Sequence, residues 1–320
     1  MNNVHPHVAS AVVMVRPVDF NFNEQTATDN EFQHMPVDVR AESVNASAMK
    51  EFEQCVQRLR EAGVDVIVLE GITEQLQRIK TPDAVFCNNW FTTHINGDLC
   101  VYPLSTPNRR EEVKRLDDLS ALLTKNGYMI NQVKRIAPED EDQKFLESTG
   151  SMVFDHVNKI VYAARSIRMH DDLLEEWVKV HTDYRAVVFD THSSHGLPFY
   201  HTNVMMSVGE KFAVVCLDSI CKKDRSRVYE ELAKDREVID ISLEQAEQYF
   251  CGNILQLKSN AGGMVIAMSE SCLKGFTKDQ LIVLEKHGKI IAFPISKTIE
   301  FIGGGSARCM LGEIFLPKLA

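Results

Sequence analysis

The chain has 320 residues, 44% of them hydrophobic, with a net charge of −10 and a pI near 5.6. That is apolar material enough for a large core, and the acidic balance excludes a nucleic-acid partner, because a phosphate backbone needs a basic face and none stands out. Eight cysteines without a CxxC pair are too dilute for a disulfide framework, no run reaches a membrane span, and the opening residues lack the basic segment of a signal peptide, so a cytoplasmic protein with a small-molecule substrate is expected.

In chain order, strand-like runs fall at 11–16 and 64–69, with a helical pattern over 44–62 between them. On that helix Ala46, Met49, Phe52, Val56 and Leu59 share a face, and Gly63 is placed to end it. Strands at 84–92 and 99–104 precede a helix over 108–126, whose Val113, Leu116, Leu119, Leu122 and Leu123 point inward. Strands at 128–136, 151–154 and 159–164, a helix at 171–181 and a strand at 186–190 come next. The last third reads as strands at 204–208, 212–218, 237–241, 253–257, 264–268, 289–294, 298–302 and 311–316, with helices at 222–234, 243–250 and 277–287.

The class is α/β, with too many adjacent short strands for a doubly wound sheet. Helices starting near 44, 108, 171, 222 and 277 suggest five similar units around an axis. Neither a linker nor a low-complexity segment divides residues 1–320, which are expected to form one domain. The charge clusters Glu139 to Asp142 and Lys222 to Arg227 read as solvated loops or helix starts.

Four segments can carry chemistry. The glycine run 303–305 leads to Cys309, a candidate nucleophile whose thiolate the neighbouring Arg308 would favour. His201 stands at the start of a predicted strand, facing a cleft, and with His192 and His195 it raises a zinc reading that no familiar ligand spacing supports. Glu147 either orients an imidazole or is a solvated loop acid. Asn89 is either a structural tether or a ligand contact, and strand alternation would put the Cys87 thiol on its face. Arg109 and Arg110 read as surface residues.

Taken in order, Met14-Val15-Arg16-Pro17 with Asn21, Asn23 and residues 30–33, then PDAVFCNNW at 82–90, LESTGS at 146–151, YHTN at 200–203 and GGGSARCM at 303–310 resemble the guanidino-modifying enzymes of the pentein superfamily. These include arginine deiminases, dimethylarginine dimethylaminohydrolases and amidinotransferases, and the likeness is nearest to the citrulline-utilisation hydrolase branch. The resemblance spans residues 11 to 316. It implies a five-bladed α/β propeller of ββαβ units with the active site on the pseudo-fivefold axis. It also implies Cys309 as nucleophile, His201 as acid and base, and Glu147 as support for His201.

Arg168, in an element similar to the family's SxRT, would bind the substrate carboxylate, although Met169 departs from the usual Thr. Asn89, Asn203, Asp83 and Asn21 complete the implied substrate contacts. Arginine deiminases hold the guanidinium with aspartates at the positions matching Asn89 and Asn203. A neutral amide offers a ureido group both a donor and an acceptor, so the substitutions favour citrulline, cleaved to ornithine, ammonia and carbon dioxide. The alternatives are that Glu147 or Asp155 supplies the charge for an arginine or methylated arginine, or that the chain is a non-catalytic binding protein. No metal or organic cofactor is expected, and a homodimer is left open.

Overall fold

The computed structural model describes residues 6–37, 40–71, 80–137, 144–181 and 183–319. The charge cluster Glu139 to Asp142 lies outside them. Five three-stranded sheets carry the fold.

The first contains β1 (Ala11–Val15) and β2 (Asp65–Leu69), parallel and joined by the helix Ala41–Glu61. The second contains β3 (Phe91–Thr93), β4 (Asp98–Val101) and β5 (Gln132–Arg135). β6 (Val153–Asp155), β7 (Ile160–Ala164) and β8 (Arg185–Phe189) form the third. β9 (Met206–Val208), β10 (Phe212–Val215) and β11 (Glu237–Asp240) form the fourth. The fifth holds β12 (Leu255–Lys258), β13 (Met264–Ser269) and β14 (Lys289–Phe293). In each of these four an antiparallel pair is followed by a helix and a parallel strand. The parallel strand needs a crossover, and the helix supplies it while covering one sheet face. β15 (Gly312–Glu313) pairs antiparallel with β1, so the end of the chain completes the unit that its beginning opened. Five such units are what the resemblance implies.

The strands bury aliphatic side chains against the crossover helices. Val44, Ala48, Phe52, Cys55, Val56 and Leu59 of the first helix pack in the same apolar cluster as Val12 and Val66. Phe52, Val56 and Leu59 are buried as expected, whereas Ala46 is exposed and Met49 half-buried, the N-terminal part of the buried stripe being formed by Val44 and Ala48 instead. The expected helix over 108–126 is broken into Pro107–Arg110, a 3₁₀ stretch Glu111–Arg115 and Leu116–Lys125.

Of two expected strands, 84–92 is a strand only from Phe91 and 298–302 is not a strand. Residues 84–89 form successive turns ending in the 3₁₀ helix Cys87–Asn89, in keeping with the turn preference of Asp83 and the paired asparagines. Residues 299–303 are helical, since Ile299 N–H is satisfied by the Glu51 carboxylate at 2.9 Å and Gly304, at φ 61°, ends the turn.

A short turn precedes the leading strand of each unit: Cys87–Asn89 before β3, Ser148–Ser151 before β6, Thr202–Met205 before β9, residues 250–253 before β12 and Ala307–Met310 before β15. All five are buried, and hydrogen bonds or close contacts link neighbouring turns. They bring together residues far apart in sequence.

Candidate active site

Cys309, His201, Asn89, Asp83, Arg109 and Arg168 line one small cavity together with Asn30 and the glycines 303–305. The glycines are needed here for close approach. A Cβ on Gly303 would lie 2.6 Å from the Phe86 ring, and one on Gly304 2.7 Å from Asn30 Nδ2. The buried Glu300 carboxylate accepts from Ser306 and Ser271 and so anchors this turn from behind.

His201 donates from Nε2 to Glu147 Oε2 at 2.8 Å, and Glu147 is fully buried. Burial opposes ionisation of Glu147, but the Arg168 guanidinium and the His201 hydrogen bond outweigh it and hold the carboxyl well below the usual range. Glu147 also accepts from Ser105 N–H at 2.8 Å. It is therefore an imidazole-orienting anion, not a loop acid. Burial lowers the His201 pKa against the pull of Glu147, so the imidazole rests neutral with Nδ1 as its basic nitrogen. A Cβ on Gly150 would fall 2.8 Å from Nδ1 and 2.3 Å from Asn89 Nδ2, so only glycine fits there.

The Cys309 thiol is buried, which raises its pKa, while Asn253 and Arg308 act to lower it. Asn203 Nδ2 approaches Sγ at 3.6 Å and Asn253 Nδ2 at 3.3 Å. Arg308 does not turn inward; its guanidinium bonds Leu311 O and Glu313 at 2.8 Å each, and it acts on the thiolate through space only. Cys87 is absent from the cavity lining, since the turn aims its thiol at the carbonyls of Val13 and Met310.

Asn89 accepts from Arg109 Nη1 at 2.7 Å, and its own Nδ2 is buried without a protein partner. Arg109 is buried rather than on the surface, because Glu112 and the Phe86 carbonyl satisfy its guanidinium. One oxygen of Asp83 accepts from Asn23 and Thr26, and the other, Oδ1, has no protein partner. Arg168 lines the cavity, but Asp29 holds its guanidinium through two hydrogen bonds, one of them Nε to Oδ2 at 2.9 Å. Asn21 accepts from Phe22 N–H and is not among the lining residues.

Asp155 pairs with Arg236 and does not line this cavity, so it supplies no charge to it. His195 turns to the surface and meets Glu31, which separates it from buried His201. Among the described residues, the one close group of three nitrogen and sulfur donors is His94, Cys100 and His181, none of which lines the cavity.

The residue that the sequence reading passed over is Asn253. Its signal was available in the Cys251-Gly252-Asn253 triplet, two residues before a strand, which repeats the Cys87-Asn88-Asn89 pattern.

Residues 16–316 match the family model described as N,N dimethylarginine dimethylhydrolase, eukaryotic. No curated protein sequence matches the chain. Among solved structures, the substrate-bound N-terminal domain of ArgZ, an arginine dihydrolase from the ornithine-ammonia cycle in cyanobacteria, is similar at 15% identity and a TM-score of 0.69, over 96% of this chain and 99% of that one. AgrE in its ternary complex with ornithine and NAD+ is similar at 16% identity and a TM-score of 0.70, over 97% of this chain and 40% of that one. A dimethylarginine dimethylaminohydrolase adduct with S-methyl-L-thiocitrulline is similar at 12% identity and a TM-score of 0.63, over 95% and 99%. The chain thus spans about two fifths of full-length ArgZ and AgrE and nearly all of the other two.

Proposed function

This chain belongs to the N,N dimethylarginine dimethylhydrolase family of pentein C–N hydrolases, and from that premise we propose that it hydrolyses the guanidino group of arginine or a methylated arginine through a covalent Cys309 intermediate. The observation that carries the reading is that His201, bonded to buried Glu147, lines the same cavity as Cys309 and Asp83, whose Oδ1 has no protein partner. Asp83 gives a cationic substrate the carboxylate that Asn89 and Asn203 lack. The arginine dihydrolase and dimethylarginine dimethylaminohydrolase among the structural neighbours support the same substrate class.

The Cys309 sulfur attacks the guanidino carbon, with His201 Nδ1 taking the thiol proton and passing it to the departing nitrogen. Ammonia or the methylamine leaves, and a thiouronium links the substrate to Sγ. Water, deprotonated by His201, adds to the same carbon, and the thiolate departs to leave a ureido product. Glu147 stabilises the imidazolium formed in each half-reaction.

A second reading rests on the unpartnered Nδ2 of Asn89. A guanidinium has no acceptor for that N–H, whereas a ureido carbonyl does. In this reading citrulline is itself a substrate: Cys309 displaces the δ-amine as ornithine, and hydrolysis of the S-carbamoyl enzyme gives ammonia and carbon dioxide. Among the described residues no helix is long and apolar enough to cross a membrane, and all eight cysteines are free, which fits a reducing compartment and a cytoplasmic assignment.

The test is a product assay on L-arginine, dimethylarginine and L-citrulline, with Cys309→Ser as the blank. Citrulline formed from either guanidine supports the main reading, and ornithine formed from citrulline supports the second. Silence on all three overturns both.

A further inference from the structure

The fifth axial turn, residues 250–253, contributes a group to the site that neither the resemblance nor the family match assigns. Asn253 lies fully buried on this turn, and all its hydrogen-bonding capacity converges on the nucleophile's surroundings. Its Oδ1 accepts from the backbone N–H of Arg308 at 3.0 Å, and its Nδ2 donates to the backbone carbonyl of Asn203 at 2.8 Å. These two backbone groups fix which end of the amide is oxygen and which is nitrogen, since a reversed amide would face donor to donor and acceptor to acceptor. The second N–H of Nδ2 is left to Cys309 Sγ, 3.3 Å away.

We propose that Asn253 is a catalytic residue: a fixed amide donor that stabilises the Cys309 thiolate and locks the nucleophile's turn to the turn that carries His201. The contacts around Sγ favour the anion. A thiol would have to donate to Asn253 Oδ1 at 3.7 Å or Asn203 Oδ1 at 3.9 Å, whereas a thiolate accepts from the two amide nitrogens at 3.3 and 3.6 Å. The nearest full positive charge along the chain, Arg308, is spent on Glu313, so the two side-chain amides, together with the Ser306 backbone N–H, are the donors that face the sulfur.

Local sequence explains the placement. Gly252 lets the turn press on the Thr202–Met205 segment, since a Cβ there would lie 2.4 Å from the Val204 carbonyl oxygen and 2.6 Å from the Met205 carbonyl carbon. Phe250, at φ 53°, makes the reversal that aims residue 253 inward. The asparagine is needed because no other side chain of its length accepts from one backbone group while donating to another and still presents a second N–H.

This inference rests on Cys309 being the nucleophile, but its test requires no turnover. The rate of alkylation of Cys309 by iodoacetamide is followed against pH, with the Cys309 peptide resolved by mass spectrometry from those of the other cysteines. Asn253→Ala removes the donors without adding a charge; Asn253→Asp keeps the shape and the acceptor for Arg308 N–H but sets a carboxylate against the sulfur. The midpoint is expected to rise by about one to two pH units in both variants, with the high-pH plateau unchanged. A lowered plateau at an unmoved midpoint would mean that Asn253 only shapes access, and would overturn the proposal. In the wild-type protein the Asn253 side-chain ¹⁵N resonance is expected to titrate with the Cys309 midpoint; a resonance indifferent to that ionisation would overturn it independently of either variant. If the product assay fails while these shifts appear, the substrate assignment is wrong and the thiolate donor stands.

Discussion

The proposed chemistry depends on a few buried side chains whose ionisation is biased by their neighbours. Glu147 is anionic because Arg168 and His201 face it in a buried site, and that charge lets a buried histidine cycle through its imidazolium. Glu147→Gln should therefore lower kcat by about 10²-fold or more with a smaller change in KM, measured by product formation. Gly150→Ala should abolish turnover while leaving circular dichroism unchanged, because its methyl would displace the Asn89 amide and the His201 ring. Asp83→Asn should raise KM for a cationic guanidine at least tenfold more than for neutral citrulline, because only the former loses a charge partner. That Cys309, His201 and Glu147 meet in one place was legible in the sequence through the order of the motifs that carry them. The burial of Arg109 was not, because it depends on Glu112 and Asn89, which meet it only in the folded state.

At the level of elements, the crossover helices were readable from their apolar period, and their starts revealed five units. The axial turns were not, since three or four residues carry no period and an apolar run such as 298–302 fits strand and helix alike. Caps offer a test that stays clear of chemistry. Thr277 and Gln280 form a capping box at the start of the Lys278–His287 helix, on the outside of the fifth unit. Thr277→Ala should cost about 1 kcal/mol in denaturant unfolding and leave kcat unchanged. An equal loss of activity would mean that the outer layer is coupled to the axis. The loop between β1 and the first crossover helix behaves differently. Asp29 on Arg168, Asn30 on the Gly304 carbonyl and Asn23 with Thr26 on Asp83 tie it over the cavity, and the sequence shows these residues without showing what they meet.

Across the whole molecule, the units are joined by pairing at the chain ends and by buried polar contacts between neighbours. β15 seals the first unit, and Arg236 beside the fourth unit's last strand reaches Asp155 of the third, both side chains with no exposure. Asp155→Asn leaves that guanidinium only the partly exposed Asp235 as counter-charge, so it should destabilise the fold by about 3 kcal/mol, seen as a lower Tm, while the Cys309 alkylation profile holds. The arrangement brings the candidate catalytic residues to the one place where the buried turns of all five units meet. The central claim is that carbon is transferred to Cys309 and then to water. The most direct measurement is acid quenching of the enzyme during turnover of guanidino-labelled arginine or dimethylarginine, followed by mass analysis of the Cys309 peptide. The account predicts label on Cys309 that appears before product and disappears as substrate runs out. Product formed with that peptide unlabelled at every time point would contradict it.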